Sequence, residues 1–241
     1  MTRGRVWLLA GLLPGVLWAA PLKIADATGD GCDLLKLAAV MAADQLPDGV
    51  EILRLAPEAA RENVRSGKID LALTFDDDSK DLVKEQFGSE ALGIYVNFLN
   101  SVGNAPLDKL REICSASRPE WSKIGGATRD IHRFYPTPGR PGFGLAEHFL
   151  GHLAITGAVG LNSSDEGILL AQSDPEAMVI CRWQSEYPAD QVKALAVNVV
   201  PPTTETIRSG EYPLSCQYVW LYREKTSQIE IFSGGDGCPG S

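Results

Sequence analysis

The chain has 241 residues, 44% of them apolar, enough to bury one large core or two modest ones. With 22 Lys and Arg against 31 Asp and Glu, it carries a formal charge of −9 and an ordinary charged fraction of 22%. These values exclude a staple-dependent mini-protein and a disordered tail, and they argue against a nucleic-acid binder or a basic membrane-surface protein.

Residues 1–20 differ in kind from the rest and read as an export signal. Arg3 and Arg5 form a positive start, Val6 to Trp18 is an apolar run containing Pro14, and Ala19-Ala20 offers a small-residue cleavage site. The alternative is an uncleaved anchor, but the apolar run is shorter than the ~20 residues that cross hydrocarbon. No Cys follows Leu8-Leu9-Ala10-Gly11, so the lipid-anchor pattern is absent. Cleavage would leave 20 basic against 31 acidic residues, a charge of −11, in the periplasm or outside the cell. The five cysteines (Cys32, Cys114, Cys181, Cys216, Cys238) include no C-x-x-C pair, which leaves a zinc ribbon or thioredoxin-type site without support. Their odd number leaves at least one free or paired outside the chain, and spacing does not fix the connectivity.

The predicted elements alternate. Leu22–Thr28 reads as a strand, Asp33–Leu46 as a helix with Leu34, Leu37, Ala38 and Met41 on one face, and Val50–Leu55 as a strand. A short helix over 57–66 opens on Pro57 and stops at Gly67, and Ile69–Phe75 is a third strand. A strand at Gly93–Leu99 and a loop over 100–106 precede a helix at 107–114. Residues 131–135 look extended, and 136–144 is rich in Pro and Gly before a helix over 143–153. Ser163 and Glu166 form a capping box ahead of a further helix. Strands at 176–183, 192–198 and 216–222, with a short helix at 202–209, lead to a polar, Gly-rich tail. This order predicts α/β architecture in which ligands sit outside the carboxyl ends of parallel strands.

Three segments carry a resemblance. Residues 113–126 are similar to an I-F-S-G-x-x-x-x-W-x-x-x-G-G segment through Ile113, Ser115, Trp121, Gly125 and Gly126. Gly67-Lys68-Ile69-Asp70-Leu71-Ala72 resembles a G-x-x-D-I-A strand. Residues 192–214 resemble a V-K-A-L to P-T-x-E-T-I-x-x-G-x-Y-P-L stretch through Pro202, Thr203, Glu205, Thr206, Ile207, Gly210, Tyr212, Pro213 and Leu214. Together they resemble the phosphate-binding-protein-like family of periplasmic solute-binding proteins over roughly residues 22–223.

The resemblance implies a two-lobed periplasmic binding protein fold of type II, each lobe a mainly parallel sheet flanked by helices and joined by hinge strands. It implies lobes at 21–98 plus 200–241 and at 99–199, with no catalytic residue, metal or cofactor. Its partners would be a small anion, phosphate or a related oxyanion, and an ABC transporter permease, and the chain would act as a monomer. Trp121 is expected to fill a lobe core, and Gly125-Gly126 to make a turn closed to larger residues.

Ligand positions carried over from the resemblance show departures. At the family's G-S-x-T loop stand Gly29-Asp30-Gly31-Cys32, so a carboxylate at Asp30 and a thiol at Cys32 replace two hydroxyls. Asp30 pointing at a phosphate would repel it by about 4 kcal/mol per charge pair at 4 Å and an effective dielectric of 20, whereas Asp30 or Asp33 could instead cap the helix. The family's G-S-G loop has become Leu55-Ala56-Pro57-Glu58. Thr74 and Asp76 stand near a family Ser and an Asp that accepts a phosphate proton, although Asp76–Asp78 equally reads as a solvated acidic turn. At the family's R-x-x-G-S-G-T loop, Arg140-Pro141-Gly142-Phe143-Gly144-Leu145 keeps Arg140, Gly142 and Gly144 but is one residue shorter, and Phe143 and Leu145 replace hydroxyl donors. Arg140 reads either as a bidentate anion clamp or as a surface Arg.

Enzymatic alternatives find little footing. His148 and His152 share a helical face, but Glu147 precedes the first, so the H-E-x-x-H arrangement is absent, as are a G-x-S-x-G elbow and a P-loop. Two readings remain: a solute-binding component for a small anion, or a non-transport envelope module with a degenerate cleft.

Overall fold

The computed structural model describes residues 20–28, 46, 48–76, 79–151 and 158–233. The export signal at 1–19, Asp30, Cys32, most of the helix expected at 33–46, Asp77, Asp78, His152 and Cys238 lie outside the described residues.

Two parallel trios of strands flank an antiparallel centre. β1 (Leu22–Asp26) pairs in parallel with β2 (Val50–Arg54) and β3 (Leu71–Phe75). β6 (His132–Pro136) pairs in parallel with β7 (Ala158–Leu161) and β8 (Ala177–Arg182). Between the trios run the fifteen-residue β4 (Val83–Asn97) and β11 (Ser215–Tyr222), giving the order β2-β1-β3-β11-β4-β8-β6-β7. A short β9 (Val192–Ala194) also pairs with β4, and β5 (Asn104–Ala105) pairs with β10 (Ala196–Val197) in a separate ribbon.

β4 belongs to both halves. Val83 to Ala91 face β11 in antiparallel register, Leu92 to Tyr95 face β8, and Tyr95 to Asn97 face β9. Its first half alternates too weakly in polarity to be read from sequence, because Val83-Lys84-Glu85-Gln86 is largely solvated. A bulge at Phe87, opposite the Tyr218–Val219 step, bends the strand, and the Phe87 ring meets Trp220 edge-on at 4.9 Å.

Side chains alternate across both halves of the sheet, as period-two geometry requires. Ile24, Leu71, Leu73, Tyr218, Trp220 and Tyr222 fill one face, and Ala25, Ala72, Val219 and Leu221 the other. In the second half Leu92, Ile94, Val96, Met178 and Ile180 form the largest core, while Tyr95, Val179 and Cys181 sit on the reverse face. Ile207, Tyr212 and Leu214 pack into that largest core, so the chain enters the second half within β4 and leaves it just before β11.

The helices follow local rules. α1 (Pro57–Arg65) opens on Pro57 and is followed by Gly67 at φ +74°. α2 (Leu107–Ser115) and α3 (Phe143–Leu150) cover the larger core, and α4 (Ser164–Ser173) is capped by Ser163, whose hydroxyl accepts from Glu166 N–H. In α5 (Thr204–Arg208) the Thr203 and Thr206 side chains form the capping box. The segment expected to be a polar tail instead begins with α6 (Ser227–Ser233), which buries Ile229 under the first half of the sheet.

Trp121 is 2% exposed within the larger core. Gly125 takes φ +85°, and a Cβ on Gly126 would lie 2.8 Å from Trp121 Cβ, so both glycines are required by the turn that seats the indole. Cys114, Cys181 and Cys216 are unbridged, and burial pushes the Cys114 and Cys181 thiols up to about 11 and about 12. These thiols are inert at neutral pH.

Arg133 is 1% exposed and donates from one guanidinium nitrogen to the Ile113 and Cys114 carbonyls at 3.0 and 2.9 Å, closing the C-terminal end of α2. Arg133→Ala is expected to destabilise the protein by about 3 kcal/mol, since two charged hydrogen bonds are lost and a large buried side chain is removed. Thermal unfolding should show a midpoint lowered by roughly 6–12 °C.

Candidate functional site

The carboxyl ends of both parallel trios meet over β4 and β11. On the first side β3 ends in Thr74 and Phe75, followed by Asp76; on the second, β6 ends at Pro136 and β8 at Arg182. Contact across the junction is made by aromatic rings. Phe75 stacks on His148 of α3 with centroids 4.7 Å apart and on Tyr218 of β11 at 5.3 Å, and His148 meets Phe149 edge-on at 4.8 Å. Such ring pairs contribute about 0.5–1.5 kcal/mol beyond the area they bury.

The sequence-predicted residues divide between these elements. Thr74 is buried on β3, in register with Val219 of β11. Asp76 is exposed, its N–H donating to the Gln217 carbonyl and its carboxylate accepting from Lys84 Nζ at 2.9 Å. Arg140 is exposed and joins two turns: its N–H donates to Thr137 and its carbonyl accepts from Phe143 N–H. Gly142 is buried at φ +87°, no side chain caps α3 there, and Phe143 and Gly144 form the first turn. The Phe75–His148 stack thus sets the end of β3, with Thr74 and Asp76, alongside the helix that begins at Gly142.

Gly142 is fixed by two constraints. Its φ belongs to the left-handed region, and a Cβ would lie 2.9 Å from Arg182 N and 3.4 Å from Pro136 Cγ. The positive end of α3 is therefore pressed against the ends of β6 and β8, where a helix dipole favours negative charge.

Sequence reasoning missed the polar group beside this junction. Glu90 of β4 is 10% exposed; its carboxylate accepts from Tyr218 Oη at 2.7 Å and pairs with Arg182. The one signal available was an Arg directly after the buried run Met178-Val179-Ile180-Cys181, at a carboxyl strand end. Its partner lay on the half of β4 whose pattern did not announce a strand.

Although His148 remains exposed, contact with the Phe75 and Phe149 rings excludes water from part of its ring, and this desolvation lowers its pKa. Among the described residues no group of His, Cys, Asp and Glu could hold a metal ion.

No family model and no curated protein matches this sequence. Solved structures do. An ABC-type phosphate transport receptor from Vibrio cholerae superposes with a TM-score of 0.73 at 20% identity, covering 89% of this chain and 94% of the receptor. The chain shares the fold of solved phosphate ABC transporter substrate-binding proteins. PstS from Borrelia burgdorferi gives a TM-score of 0.67 at 14% identity, covering 89% of this chain and 91% of PstS. The two-lobed architecture of this receptor fold accounts for the paired parallel trios, with β4 and β11 crossing between lobes.

Gly142→Ala is expected to cost about 1–3 kcal/mol through backbone strain and the clash with Arg182, read as a lowered denaturation midpoint at unchanged slope. His148 makes a second prediction. Its pKa is lowered in the folded state, so the unfolded chain binds more protons near and below the ordinary histidine value, and stability falls as pH drops through that range. His148→Phe keeps a ring against Phe75 and should flatten the slope of stability against pH between 7 and 5; an unchanged slope would assign it to other groups.

Proposed function

We propose that the chain is an exported receptor for a small oxyanion, phosphate or a relative of it, held in the cleft between the lobes and delivered to an ABC transporter permease. The observation that carries this reading is the start of α3: a helix terminus without a side-chain cap, seated at the carboxyl ends of β6 and β8 and two residues after Arg140. Helix dipole, strand ends and a guanidinium then bear on one region. Export rests on the basic, apolar and small-residue order of residues 1–20. No helix among the described residues is long and apolar enough to cross a membrane.

A second reading, a non-transport envelope module with a degenerate cleft, is favoured by a different observation. Asp76 is already paired with Lys84, and the Phe75–His148 stack occupies space between the elements that would close on a ligand. Calorimetric titration of the purified protein with phosphate, sulfate, molybdate and small carboxylates separates the two. The receptor reading predicts saturable binding of at least one anion, weakened tenfold or more by Arg140→Ala, because a charge-assisted hydrogen bond contributes about 1.5–3 kcal/mol. No heat at millimolar anion would support the second reading.

A further inference from the structure

The Arg182–Glu90 pair has no counterpart among the positions carried over from the family resemblance, yet it joins the carboxyl end of β8 to β4. Arg182 is the last residue of β8, and its backbone is held on three sides. Its carbonyl accepts from Ser164 Oγ at 3.3 Å, the following Trp183 N–H donates to Ala91 O at 2.8 Å, and Gly142 packs against its N. The base of the side chain is thus fixed to the hinge strand, to α4 and to the start of α3, whereas the side chain itself is 36% exposed. A rigid backbone carrying a partly exposed guanidinium is a preorganised anion donor.

What occupies that donor is a carboxylate of the protein. Glu90, 10% exposed, pairs with Arg182 and accepts from Tyr218 Oη at 2.7 Å. In charge and oxygen geometry a carboxylate is an oxyanion. Its placement shows that negative charge at this point is met by a guanidinium and a phenol donor.

We propose that Arg182 grips an oxyanion in this cleft, and that Glu90 is a built-in competitor displaced when the anion enters. The inference rests on the anion-binding reading and adds Arg182 to Arg140 as a second guanidinium on the anion. An incoming anion takes the guanidinium, and Glu90 keeps Tyr218. Stripping a nearly buried carboxylate of its cation opposes binding, so Glu90 lowers affinity and sets a threshold concentration below which the cleft stays self-occupied.

The test is calorimetric titration of inorganic phosphate, with sulfate and acetate as further arms, into the full chain and into Glu90→Gln, Arg182→Gln and Arg182→Lys. Circular dichroism and melting curves confirm that each variant is folded. Glu90→Gln keeps an acceptor for Tyr218 while removing the competing charge, and should bind at least tenfold more tightly than the unaltered chain. Arg182→Gln should bind at least tenfold more weakly, with Arg182→Lys between the two. Binding that is unchanged in Glu90→Gln and Arg182→Gln but lost in Arg140→Ala overturns this inference and leaves the anion-receptor reading intact. Binding by Glu90→Gln alone supports the inference and contradicts a working receptor. No binding by either overturns both.

Discussion

The antiparallel pairing of β4 with β11 is the constraint on which the rest of the molecule depends. Each parallel trio presents an edge strand that would otherwise expose unpaired backbone, β3 on one side and β8 on the other. The central pair satisfies both edges at once, β11 taking β3 and β4 taking β8. Because β4 is hydrogen-bonded in both halves, the carboxyl ends of the two trios are brought to a common region. The bulge at Phe87 turns the strand where Trp220 packs. Without this pair the halves would be two small, separate sheets.

Electrostatics in the cleft follow from that arrangement. The chain as a whole is acidic, at −9, so long-range attraction does not draw anions to it. The proposed anion capture would therefore depend on local donors, among them the start of α3, Arg140, Arg182 and the Tyr218 hydroxyl. Two acidic groups near the strand ends already hold cations, Asp76 with Lys84 and Glu90 with Arg182. Under the proposed function, an anion would have to offer Arg182 better geometry than Glu90 does.

The parallel opening was legible in the sequence because Leu22–Asp26, Val50–Arg54 and Leu71–Phe75 are short runs punctuated by Pro57 and Gly67. The roles of Trp121, Gly125 and Gly126 were legible because the resemblance of residues 113–126 implied a large ring in a lobe core beside a tight glycine turn. The first half of β4 was not, since its solvated hinge lacks the alternation of a half-buried strand. β7 and α6 were missed for a related reason: Ala158–Leu161 is short and rich in small residues, and Ser227–Ser233 follows a polar stretch. At the proposed site, Arg140 and Gly142 were singled out through the family resemblance of residues 140–145. The Arg182–Glu90 pair and the Phe75–His148 stack join residues far apart in the chain, and only the register of β4 places them together.

The anion site proposed above lies at the junction of β4, β11 and α3. Hydrogen exchange of the full chain, with and without saturating inorganic phosphate, tests that placement most directly. Amides of residues 88–92, 142–146 and 215–219 should become protected in the presence of phosphate while β2 and β7 remain unchanged. Protection confined to other segments, or none at a concentration where calorimetry shows binding, would contradict it.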